Sequence, residues 1–97
     1  MHKAMPAGDS DRVRTVRGFQ NVLINALKLA ESGESEAARR IIYWLIRDYP
    51  DDYRVWWALA NVTNQMDEAQ MALNEALRLK PDQTEARELL ERLEQRS

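Results

Sequence analysis

Residues 33–50, GESEAARRIIYWLIRDYP, decide the fold, because they frame one amphipathic helix between a glycine stop and a proline stop. Ala38, Ile41, Ile42, Leu45, Ile46 and Tyr49 recur at three- and four-residue steps, one stripe of a 3.6-residue helix. Ser35 is the expected N-cap, with Glu36 suited to the positive end of the helix dipole. Pro50 ends the helix by pushing Tyr49 out of helical geometry. A shift of 31 residues finds the pattern again in residues 64–81, NQMDEAQMALNEALRLKP. Ala38 falls on Ala69, Ile42 on Leu73, Leu45 on Ala76, Ile46 on Leu77 and Pro50 on Pro81. The register runs on, so that Val55 meets Ala86, Ala58 meets Leu89, Leu59 meets Leu90 and Val62 meets Leu93. Core positions meet core positions and a proline closes each unit, which defines an internal repeat.

Outward from this pair, periodicity and punctuation predict five helices and no strand. The first runs from about Asp11 to Ser32, with Gly33 as its left-handed stop. Gly18 lies inside it and disfavours helix, so a start near Gly18 is the alternative. The second ends before Pro50. Asp51 or Asp52 caps the third, which runs from Tyr53 to about Asn64. The fourth spans roughly Met66 to Leu79 and stops before Pro81. Asp82 or Thr84 caps the last, which carries Ala86, Leu89, Leu90 and Leu93.

These residues resemble the tetratricopeptide repeat, whose units pair two antiparallel helices and close on proline. Gly33 at the turn, small Ala38, large Ile42 and final Pro50 fit the second half of that pattern. Trp56, Leu59 and Ala60, then Ala69, Leu73, Ala76 and Pro81, supply the next unit. The turn around Asn64 to Asp67 is about three residues shorter than the family pattern, and the first helix lacks its aromatic landmarks, so the chain resembles a divergent short-turn variant. The resemblance implies an all-α, right-handed stack of antiparallel helix pairs. Its parts are a tail over residues 1–10, a single domain over 11–97, repeats at about 19–50 and 51–81, and a capping helix over 82–97. Each pair must stack on its neighbour to bury its apolar face.

Composition narrows the function classes. Cysteine is absent and the one histidine is His2, which removes thiolate sites and nearly all imidazole chemistry. The net charge of −2 argues against general electrostatic binding to nucleic acid. Arg12, Arg14 and Arg17 are the one basic cluster, and Asp9 and Asp11 offset them. The longest apolar run, Ile41 to Ile46, falls far short of the ~20 residues of a membrane span. No signal-like apolar stretch opens the chain, which reads as a cytoplasmic, soluble protein. The carboxylates sit at capping positions or near arginines at helical spacing, without the convergence that catalysis needs. No cofactor, no metal and no enzymatic activity are expected.

Six aromatic residues, Tyr43, Trp44, Tyr49, Tyr53, Trp56 and Trp57, lie within fifteen positions. Tyr43 and Trp44 flank the buried stripe of their helix, which suits either self-association as a homodimer or cover by the first helix. In tetratricopeptide arrays the first helix of each pair lines a concave groove that receives a peptide or partner helix. Carried over, the resemblance implies Arg54, Trp57 and Asn61, Ile24 and Lys28 from the first helix, and Glu88 and Arg92 from the cap. The expected function is protein–protein interaction, as an adaptor or assembly module. A self-associating structural subunit is the alternative, and nucleic-acid binding through the N-terminal arginines is the third class.

Overall fold

The computed structural model describes residues 16–96, and side chains from Gly18 to Gln95. The tail, the three arginines' side chains and the proposed start at Asp11 lie outside that description. The described residues form five helices and no strand: α1 Val16–Glu31, α2 Ser35–Asp48, α3 Tyr53–Val62, α4 Met66–Leu79 and α5 Thr84–Arg96.

Local chemistry explains each boundary. Gly33 adopts φ +90°, the left-handed conformation that a β-carbon disfavours. Around it Glu34 N–H bonds the Leu29 carbonyl at 2.9 Å and Gly33 N–H bonds Ala30 at 3.0 Å, the paired bonds of a Schellman stop. That turn makes Glu34 the flanking residue of α2, its carbonyl accepting from Ala38 N–H. Ser35 is therefore already helical and does not cap, and its hydroxyl donates to Asn64 Oδ1 at 3.3 Å. Asp52 does cap α3, its carboxylate accepting Arg54 N–H at 3.0 Å. α5 starts at Thr84, with the Gln83 carbonyl accepting from Arg87 N–H, so Gln83 takes the flanking place expected of Asp82 or Thr84.

The repeat read in the sequence reappears as matched hydrogen bonds. Tyr49 N–H to Leu45 and Lys80 N–H to Ala76 are both 2.8 Å, and the two pairs are 31 positions apart. Asp52 N–H to Tyr49 and Gln83 N–H to Lys80 are both 3.2 Å. Trp56 Nε1 donates to the Pro50 carbonyl at 2.9 Å, and its register mate Arg87 donates through Nη2 to the Pro81 carbonyl at 2.7 Å. An indole and a guanidinium thus fill one structural role.

Each helix packs on its neighbours in sequence, and α3 also packs on α1. The core holds Ala26 from α1, Ala38, Ile42 and Leu45 from α2, Val55, Leu59 and Val62 from α3, and Leu73 from α4. Ala38, Ile42, Leu45, Val55, Leu59 and Leu73 are fully sealed, as the stripe assignments require. Leu89, Leu90 and Leu93 on α5 are only partly buried, although their register mates Ala58, Leu59 and Val62 are closed. α3 has helices packed on both sides, whereas α5 has only α4 of its sequence neighbours to cover it.

Candidate protein-interaction surface

The three indoles have different surroundings. Trp56 spends its N–H on Pro50 and packs on the core. Trp57 is half-buried, and among the described residues its N–H has no hydrogen-bond partner. One turn later, Asn61 donates through Nδ2 to the Trp57 backbone carbonyl at 2.8 Å, and the four-residue spacing puts both side chains on one face of α3. Together they line an open cleft of about 450 Å³ between the C-terminal ends of α1 and α3. Leu27, Ala30 and Glu31 form its α1 wall, and Val62, Thr63, Asn64 and Ser35 complete it. Thr63 and Asn64 also line a smaller cleft of about 200 Å³, where Ala60 and Ala69 face Leu89 and Leu93 of α5. A third, of about 290 Å³, lies along α5 at Leu89, Arg92, Leu93 and Gln95.

Of the seven groove residues expected from the sequence, Trp57 and Asn61 share one of these clefts among the described residues. Ile24, 47% exposed, and Lys28 lie on the outer face of α1. Ile24 and Lys28 stand 33 residues before Trp57 and Asn61, whereas the burial pattern of α1 follows α3 at a spacing of 32, with Leu23 for Val55, Ala26 for Ala58, Leu27 for Leu59 and Ala30 for Val62. The α1 residues that line the cleft beside Trp57 and Asn61 are instead Leu27, Ala30 and Glu31.

Arg54 is committed to the fold. Its Nε and Nη2 clasp Asp52 at 3.0 and 2.7 Å, and its guanidinium stacks 4.4 Å over the Phe19 ring. The clasp lowers the Asp52 pKa, chiefly through the side-chain hydrogen bonds from Arg54, and raises that of Arg54. Glu88 is exposed and lines none of these clefts, and Arg92 lines only the one on α5.

Tyr43 and Trp44, the two self-association candidates, separate. Both are 39% exposed, so neither is sealed within the fold. The Tyr43 hydroxyl, however, donates to Glu68 Oε2, and its ring lies 5.6 Å from the Arg39 guanidinium. Glu68 is the centre of a cluster that the sequence reading missed. Arg39 binds it bidentately, Nε to Oε1 and Nη2 to Oε2, both at 2.7 Å, and the Thr63 hydroxyl donates to Oε1. These bonds join α2, α4 and the α3–α4 turn. The Arg39 hydrogen bonds, ahead of those from Thr63 and Tyr43, lower the Glu68 pKa to about 2 despite burial of its carboxylate. Burial, then the hydrogen bond to Glu68, raises the Tyr43 pKa. The one trace of the cluster in the sequence is the four-residue spacing of Arg39 and Tyr43. Their partner Glu68 lies 29 residues from Arg39, outside any helical periodicity.

The strongly shifted groups are therefore held in structural ion pairs. Among the described residues no group of three or more His, Cys, Asp or Glu is placed to hold a metal ion. No helix of the described residues is long and apolar enough to cross a membrane. No family model, no curated protein and no solved structure matches the chain.

Proposed function

We propose that the chain is a tetratricopeptide-like interaction module, a right-handed stack of helix pairs that binds another polypeptide and has no catalytic role. The observation that carries this reading is the cleft between α1 and α3, where an aromatic side chain with an unspent N–H stands beside the Asn61 amide. Trp and Tyr supply large rigid contact area at low entropic cost, and they dominate binding energy when seated in such clefts. The matched hydrogen bonds 31 residues apart support the repeat assignment. No cofactor, nucleic acid or membrane enters this function.

Panning a random peptide library on the wild-type protein, with Trp57→Ala as the counter-selection, tests the proposal. Peptides that bind the wild type and lose at least about tenfold in affinity on Trp57→Ala are expected, since truncating a central Trp costs 2 kcal/mol or more. Peptides indifferent to Trp57, or none at all, contradict it.

Self-association is a second reading, favoured by Trp44, which is 39% exposed on α2 with its N–H unpaired among the described residues. In that reading Trp44 packs against its copy across a twofold axis. Tyr43 plays a lesser part, because its hydroxyl is already engaged by Glu68.

A further inference from the structure

We infer that the α1–α3 cleft takes an arginine side chain of the polypeptide partner, an assignment that rests on the interaction reading above. Among the described residues Glu31 is the one charged side chain lining the cleft, and no lysine or arginine lines it. Among the described residues Glu31 has no ion-pair partner; Lys28, one turn before it, makes none with it. Asn61 adds a second acceptor. Its Nδ2 must face the Trp57 carbonyl, because only an N–H can donate there, and so Oδ1 is left free.

The backbone adds the same sign. The cleft lies at the C-terminal ends of α1 and α3, where helix dipoles present partial negative charge. Ser35, in the first turn of α2, brings one positive helix end against these two negative ones. Between the acceptors, Leu27, Ala30 and Trp57 offer apolar surface on which a long aliphatic stem can lie. Arginine fits better than lysine, because its planar fork pairs a carboxylate bidentately and stacks on an indole. The Trp57 N–H then remains to donate to a backbone carbonyl of the partner.

Titration of the isotopically labelled protein with short capped peptides tests this, comparing a central arginine with its neutral isostere citrulline and with glutamate. The arginine peptide is expected to shift the Trp57 indole N–H and the Asn61 side-chain amide saturably, binding about fivefold or more tighter than citrulline. The glutamate peptide should leave both signals in place. Glu31→Gln should bring the arginine-to-citrulline ratio close to one while all other resonances stay unchanged, a readout that a folding defect cannot mimic. Equal binding of arginine and citrulline by the wild type overturns the assignment. Library peptides that depend on Trp57 yet carry no arginine overturn it as well and leave the cleft as a binding site. Failure of every peptide to bind removes both proposals.

Discussion

Glu68 accepts four hydrogen bonds with two oxygens, which explains why a carboxylate only 9% exposed stays ionised. Its pKa falls from 4.5 to about 2 on folding, so the folded state holds the proton less tightly than the unfolded chain does. The resulting stability is present above the unfolded pKa and is lost as pH drops through the folded one. Glu68→Gln should therefore be less stable than the wild type at neutral pH, and the gap should narrow from about pH 4.5 down to pH 2. Urea unfolding at a series of pH values measures that gap; a gap independent of pH would remove the cluster from the stability account. Gly33 gives a cleaner case. A β-carbon there meets nothing within 4 Å, so only the backbone conformation resists substitution. Gly33→Ala should cost about 1 kcal/mol in the same assay through left-handed strain alone. A neutral result would show that the turn can relax out of φ +90°.

At the scale of the helix, the sequence carried what depends on periodicity and punctuation. The apolar stripes, Gly33, the two prolines and the Asp51–Asp52 cap place the helix ends between residues 31 and 84 to within a few residues, because each acts over one turn of chain. The phase of α1 was not legible, since its offset from α3 shows only in which residues are buried. Arg54 was given to the groove by the resemblance, and although Asp52 is two residues away, Phe19 comes under its guanidinium only through the packing of α1 on α3. Glu68 was missed because its partners come from α2 and the α3–α4 turn, which only the folded stack brings to α4. The structure separates two alanines that the register makes equivalent. Ala38 is sealed, while Ala69 keeps 7% exposure beside the cleft toward Leu89 and Leu93. Ala38→Leu should overpack the α2 contact and cost about 1–3 kcal/mol, whereas Ala69→Leu should cost less because its side chain can extend into that cleft. Thermal melts of the two variants check the order; an equal or inverted order would mean the cleft is closed in solution.

Among the described residues two indoles leave their N–H unpaired on different helices, Trp57 beside the α1–α3 cleft and Trp44 on α2, and each is tied to a different proposed mode of action. If copies pair through α2, sedimentation equilibrium should give a dimer that Trp44→Ala converts to a monomer with its helical signal intact. A wild type that stays monomeric at high concentration would remove that mode and leave the cleft. The cleft itself is tested most directly by fluorescence anisotropy of a labelled, library-selected peptide titrated with wild type, Trp57→Ala and Trp44→Ala, each first shown to be folded. Docking in the cleft predicts a dissociation constant raised at least about tenfold by Trp57→Ala and unchanged by Trp44→Ala. Unchanged binding by Trp57→Ala, or a loss confined to Trp44→Ala, would contradict it.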